Sequence, residues 1–219
     1  MITYRELFED EEISTYIKMA DASLSALGYT EHSFAHVGLV AKRAGEILEA
    51  LGAPARTVEL ARIAAHLHDI GNAVNRVGHS QSGALMAFRL LGERGMSPEE
   101  VATVMTAIGN HDEGEGDAVS DITAALILAD KSDVRRSRVR NSDMMSFDIH
   151  DRVNYSVISS SLLVDRERTR VTLSLTIDTA ISSVLSYFEI FLERMLLCKR
   201  AAGRLGVRFS LVINDQILL

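Results

Sequence analysis

The amino-acid sequence predicts a mainly α-helical bundle with a small α+β extension at its C-terminal end. Apolar residues recur at helical spacing, between recognisable caps and stops, over roughly residues 1–135. Period-two alternation then takes over, first near residue 153 and again after residue 170. The divide falls at residue 150. A helical domain spans 1–150, and an extension over 151–219 reads strand, strand, helix, strand.

The helices follow in order. "TYRELFEDEEISTYIKMADASLSALG" is one amphipathic stretch that stops at Gly28. "TEHSFAHVGLVAKRAGEILEALG" takes Thr30 as its N-cap and ends at Gly52. "PARTVELARIAAHLHDIG" carries Pro54 in its first turn, where a missing N–H is harmless, and stops at Gly71. "HSQSGALMAFRLLGERG" comes next. In "SPEEVATVMTAIGNH", Ser97 and Glu100 have the spacing of a capping box, with Pro98 at the first helical position. "SDITAALILADKSDV" is capped by Ser120 or Asp121.

Two strands should follow. "RVNYSVI" alternates Val153, Tyr155 and Val157, and "RVTLSLTID" alternates Val171, Leu173, Leu175 and Ile177. They are expected to pair antiparallel through "VDRERT". A helix over roughly 179–202 carries Ile181, Val184, Leu185, Phe188, Leu192, Met195 and Leu196 as its apolar stripe. It is the natural cover for a sheet with one apolar face. "VRFSLVI" supplies a third strand, and "NDQ" a turn. Such strands leave room for a homodimer formed by sheet-edge addition.

Composition bounds the function. A chain of 219 residues with 47 % hydrophobic and 24 % charged residues can bury a sizeable core. A net charge of −7 argues against a nucleic-acid-binding surface, so nucleic acid is not an expected partner. The single cysteine, Cys198 in "RMLLCKRA", excludes a disulfide framework and reads as a small core residue. The acidic N-terminus lacks the pattern of a signal peptide, and no run reaches the ~18 apolar residues of a membrane span. The expectation is a cytoplasmic protein without a membrane partner.

Chemistry concentrates in "AAHLHDIGN", residues 64–72, where an apolar helix finishes on an adjacent His-Asp pair. Neutral imidazole and carboxylate are both good ligands for divalent cations. A second carboxylate, Asp130, follows six apolar residues in "AALILAD" and is expensive to bury without a cation or a paired lysine or arginine. Six of the seven histidines, His32, His36, His66, His68, His79 and His111, lie in the helical part. His66 is expected in the core, and His32 lies one turn before His36, where it can line a cleft. The pair His150-Asp151 has neither an apolar helix before it nor a glycine after it, and reads as a loop pair without metal.

In this order, His36 in "FAHVGLVAKRA", His68-Asp69 in "HLHDIG" and Asp130 in "LILADKSD" resemble the HD superfamily of metal-dependent phosphohydrolases. The resemblance covers about residues 30–135 and implies a helical HD-domain bundle. A dinuclear branch adds histidines between the pair and the last aspartate, and His79 and His111 stand there. That pattern is similar to bacterial HD hydrolases that split dinucleoside polyphosphates and to those that cleave cyclic dinucleotides. It implies two divalent ions, drawn from Fe, Mn, Co, Ni, Zn or Mg. His36, His68, Asp69 and Asp130 would hold one, and Asp69 would bridge to a second held by His79 and His111. From the residues alone, His79 also reads as a polar helix start, and His111 as a cation at a helix C-terminus. The implied reaction is cleavage of a phosphoester or phosphoanhydride of a nucleotide or small phosphorylated metabolite by metal-activated water. Asp69 and Lys131 would carry catalysis.

One position departs from the pattern. Relatives with "HDIGK" carry a lysine where this chain has Asn72. Asn72 is expected at the substrate, with Arg76 and Arg135, from the run "DVRRSRVR", supplying charge to the phosphate. The missing lysine also keeps open an alternative: a metal-containing nucleotide-binding or regulatory module without turnover.

Overall fold

Helix α7, Asp121–Lys131, is apolar all round and buried from Ile122 to Ala129, so it must be wrapped by other elements. In the computed structural model, which describes residues 1–141, 145, 147–165, 167 and 169–219, four helices pack against it. These are α3 (Phe34–Ala50), α4 (Ala55–Leu67), α6 (Pro98–Gly109) and α9 (Val184–Arg204). Around them lie α1 (Tyr4–Phe8), α2 (Glu11–Ala26), α5 (His79–Glu93) and α8 (Ile149–Ser156), with short 3-10 turns at Ile70–Ala73 and Arg136–Arg138. One cluster of buried apolar residues runs from Leu7 to Ile213. Among the described residues no helix is long and apolar enough to cross a membrane.

The expected bundle is present, with corrections at its ends. The N-terminal stretch is two helices. Asp10 breaks it by capping Ile13 N–H (3.0 Å) while both its oxygens accept from Arg94. Helix α3 starts from Ser33, because the Thr30 carbonyl is occupied by His32 Nδ1 (2.7 Å). Pro54 precedes α4 as its cap residue rather than sitting in its first turn. Ser97 does cap α6, yet Glu100 turns to Arg56 (2.6 Å), so only half of the box forms. Ser120 is the cap of α7.

The C-terminal part builds a four-stranded sheet in the order β1 (Val157–Asp165), β2 (Arg170–Ile177), β3 (Arg208–Ile213), β4 (Gln216–Ile217). β1 and β2 pair antiparallel, Leu162 opposite Leu173, but β1 keeps only Val157 and Ile158 of the strand expected over residues 152–158; of the connection "VDRERT", Arg166 and Arg168 lie outside the described residues. β2 buries Val171, Leu173, Leu175 and Ile177 and turns Thr172, Ser174 and Thr176 away. β3 runs parallel to β2, α9 making the crossover, and the turn Asn214-Asp215, with φ of 49° and 64°, folds β4 back. The sequence showed no sign of β4, which has only two residues.

Two expectations here are overturned. Residues 152–156 form the end of α8 rather than a strand. Asp148 caps that helix at Asp151 N–H (2.8 Å), and Asn154 bonds back to the His150 carbonyl (2.8 Å). The stripe of α9 is also rotated. Leu185, Leu192 and Leu196 are exposed, whereas Tyr187, Phe191, Met195, Cys198 and Ala201 face the core. A helix with apolar residues on two overlapping faces gives periodicity no means of choosing between them. Cys198 is a core residue, its thiol pushed up to about 12 by burial.

Candidate metal centre

Six side chains proposed as ligands come from helix ends that meet at one point. His36 lies in the first turn of α3, His68 caps the C-terminus of α4, and Asp69 opens the 3-10 turn. His79 starts α5, His111 follows the end of α6, and Asp130 sits in the last turn of α7. Gly71 makes this convergence possible, for a reason other than the open C-cap expected of it. Its φ is not positive. A Cβ there would collide with the His79 carbonyl, so only glycine lets α5 dock on the His-Asp turn.

The donor atoms form two adjacent clusters. His36 Nε2 lies 3.3 Å from His68 Nε2, 3.5 Å from Asp69 Oδ2 and 3.3 Å from Asp130 Oδ1. His68 Nε2 lies 3.1 Å from the same Asp69 oxygen. The other Asp69 oxygen, Oδ1, faces His79 Nε2 at 3.6 Å, and His79 Nε2 is 3.3 Å from His111 Nε2. Nitrogens bound to one tetrahedral ion at 2.0–2.1 Å would stand about 3.3 Å apart. Asp69 therefore presents one oxygen to each cluster.

The rings are locked in the orientation a ligand needs. Nδ1 of His68, His79 and His111 faces a backbone carbonyl, of Ala65 (2.7 Å), Arg76 (3.1 Å) and Ile108 (2.6 Å). A carbonyl only accepts, so each Nδ1 carries the hydrogen. Nδ1 of His36 donates to the Asp133 carboxylate at 2.8 Å. Each Nε2 is left with a lone pair that faces other ring nitrogens and carboxylate oxygens, and that of His79 also faces the Arg76 guanidinium at 3.3 Å. Positive charge between them is the remedy. Burial works against charging His68, yet Asp69 and Asp130 outweigh it and raise the imidazole to about 10.

Asp133 was not singled out from the sequence, although it repeats the acidic residue three positions after Asp130. It is fully buried; burial opposes its charge, but His36 and Arg135 hold its carboxyl well below the usual range. A carboxylate behind a ligating histidine fixes the ring and raises its basicity. Asn72 plays a similar part for Asp69. Its amide donates to the Asp69 carbonyl (2.9 Å) and to Oδ1 (3.0 Å), and it is 1 % exposed. It does not line the cavity, which corrects its expected role at the substrate. Arg135 is corrected likewise: Asp133 (2.5 Å) and Glu31 (3.6 Å) hold it away from the site.

A cavity of about 490 Å³ opens over the centre, lined by Asp69, His79, His111 and Asp130. Arg76 and Lys131 line it. Lys131 is buried and bound to Glu113 (2.6 Å) and Asp130 (2.8 Å); burial opposes its charge, and those carboxylates outweigh it and raise its pKa. Arg138, one of the arginines of "DVRRSRVR" that could supply charge, also lines the cavity, as does Arg194, which the sequence did not single out. The signal for Arg194 was a charge beside Phe191 and Met195 on the apolar helix α9. His32 lines the cavity and His66 is buried in the core, its ring 5.5 Å from that of Tyr4 and pushed down to about 4 by burial. His150 and Asp151 lie in the first turn of α8 on the cavity wall, not in a loop. Among the described residues they belong to no metal-capable donor cluster; His36, His68, Asp130 and His68, Asp69, His111 do.

The HD domain family matches residues 33–152, more than half of the chain. The chain belongs to the HD domain family. An uncharacterized protein of Methanocaldococcus jannaschii, MJ1020, is 28 % identical over 162 residues, which are 63 % of this chain and 61 % of that protein. The chain thus spans about three fifths of the curated relative it matches. A crystal structure of a predicted HD superfamily hydrolase from an uncultured Thermotogales bacterium is 28 % identical, with a TM-score of 0.46 over 61 % of this chain and 75 % of that one.

Proposed function

We propose that this HD-family chain is a metal-dependent phosphohydrolase that cleaves a phosphoester or phosphoanhydride of a nucleotide or small phosphorylated metabolite. One observation carries the reading: four imidazole Nε2 atoms and the Asp69 and Asp130 carboxylates converge in two clusters that share Asp69. His36, His68, Asp69 and Asp130 would hold one divalent ion, and Asp69, His79 and His111 a second. Imidazole and carboxylate donors accept Fe, Mn, Co, Ni, Zn or Mg. Paired divalent ions at such a site supply Lewis-acid activation of water and of the phosphoryl group.

The chain's own residues do the rest. Asp133 holds His36 in the ligating tautomer, and Asn72 fixes the Asp69 carboxylate. Lys131 binds Asp130 Oδ2, which leaves Oδ1 facing the histidines. Arg76, at the cavity beside His79, is the cation suited to a phosphoryl oxygen. No serine or cysteine nucleophile is needed; water adds to phosphorus, and the leaving oxygen departs with a proton.

The test is phosphate release from nucleotides and sugar phosphates with Mn, Fe(II), Co or Mg supplied, with Asp69→Ala as the control. Turnover that disappears in the control supports the reading. Bound metal with no turnover of any substrate would favour a nucleotide-binding module instead.

A further inference from the structure

The cavity is not uniform. Around the donor cluster it demands positive charge. Another wall, helix α8, presents Asp148, Asp151 and Asn154. Asn154 is 8 % exposed; its amide nitrogen donates to the His150 carbonyl (2.8 Å), and its amide oxygen has no partner among the described residues. Asn154 lines the cavity, so this oxygen can accept from a donor on a bound molecule. Asp148 spends one oxygen on Asp151 N–H (2.8 Å), and among the described residues the Asp151 carboxylate accepts a long bond from Asn141 (3.4 Å).

The cations of the cavity are already committed, except one. Lys131 and Arg194 share Glu113, and Arg138 lies 3.9 Å from Asp133. Among the described residues Arg76 forms no ion pair; its guanidinium reaches His79 Nε2 at 3.3 Å and stands 5.8 Å over the Tyr29 ring. Arg76 therefore serves the same phosphoryl group as the donor cluster it adjoins. A second phosphoryl group would meet the Asp148 and Asp151 carboxylates, with no uncommitted arginine or lysine of the cavity beside it among the described residues. Hydroxyl groups are the opposite case, since they donate to carboxylate and amide oxygens alike. A volume of about 490 Å³ suits one small ligand.

Resting on the phosphohydrolase reading, we infer that the substrate is a monophosphate ester whose leaving group carries hydroxyls, of the sugar or nucleoside kind. Its phosphoryl group lies at the donor cluster beside Arg76, and its hydroxyls lie on Asn154 and Asp151. Water supplies oxygen to phosphorus and a proton to the departing alkoxide, giving inorganic phosphate and the free alcohol. Asn154, outside the residues matched to the HD domain, and Asp151 are then specificity residues.

The experiment uses the full chain with Mn²⁺. Rates and calorimetric affinities are measured for AMP and ribose 5-phosphate, for p-nitrophenyl phosphate, which has no hydroxyl, and for ADP and diadenosine tetraphosphate. The hydroxylated monophosphates should exceed both other groups in kcat/KM by about tenfold or more, the effect of one or two hydrogen bonds. Asn154→Leu and Asp151→Ala should each lower the ratio of kcat/KM for AMP to that for p-nitrophenyl phosphate by about tenfold. Asp151→Lys should raise ADP relative to AMP. A preference for ADP or diadenosine tetraphosphate, or variants that lower every substrate equally, would overturn the inference. If no probe is hydrolysed, the hydrolase reading alone fails, and the affinities decide the wall. AMP bound more tightly than ADP, and weakened by Asn154→Leu, would support it; the reverse order or no difference would overturn it.

Discussion

The floor and the α8 wall of the cavity are built in opposite ways. Each floor histidine is a buried group at a helix end, with its Nδ1 tied to a backbone carbonyl or to Asp133, and Lys131 holds one oxygen of Asp130. On the wall, Asp148 and His150 are exposed, Asp151 is half-buried, and Asn154 keeps one unmet oxygen. A floor must hold fixed geometry against electrostatic repulsion, whereas a wall that recognises a ligand must leave groups available. Rigidity marks where the chemistry is, and unused hydrogen-bonding capacity marks what it acts on.

The largest expected effect breaks the floor at the residue both clusters share. Asp69→Ala should abolish turnover and reduce bound divalent metal, read by metal analysis after gel filtration, with the helical circular dichroism retained. Gly71→Ala comes next. Its new methyl group meets the His79 carbonyl, so α5 must shift, at a stability cost of about 1–3 kcal/mol in denaturant unfolding. Activity should fall further than stability, because His79 moves with α5. Asp133→Asn keeps the shape but weakens the acceptor behind His36. Metal affinity should drop about 10- to 100-fold in competition with a chelator, while the apo-protein unfolds much as wild type.

The smaller effects sharpen the contrast from the other side. Arg194→Gln frees Glu113 from one of its two cations, and we expect a several-fold change in KM rather than loss of metal. Finally, adding Mn²⁺ should raise the midpoint of thermal unfolding in wild type by mass action, as any ligand selective for the folded state does. The same addition should do much less for Asp69→Ala. An equal rise in both would mean that the stabilising ion binds elsewhere.

The difference between the two regions also explains what could be read without a structure. The floor residues announce themselves because a buried helix end cannot carry His68-Asp69 or Asp130 without a reason visible in the pattern around them. Asp133 sits three residues beyond Asp130 and shares its signal, but only the fold shows that it faces His36. Asn72 and Arg135 were misplaced because a polar residue near a motif has several partners within reach, and sequence does not rank them. On the wall, Asn154 stands in a stretch whose alternation mimicked a strand, and Asp151 in a pair that reads as a loop. A single N-cap hydrogen bond, from Asp151 N–H to Asp148, favoured the helix instead.

By itself, the sequence determined the helical class, strand β2, and which histidines and aspartates stand as candidate donors, with their order along the chain. These follow from periodicity and from residue chemistry, both of which are local. Tertiary structure alone decided which face of α9 is buried, that Gly71 serves close approach rather than a turn, and that Arg138 and Arg194 reach the cavity while Arg135 does not. Each of those depends on contacts between residues tens of positions apart, and local pattern carries no information about which of two equally suitable partners will be the nearer.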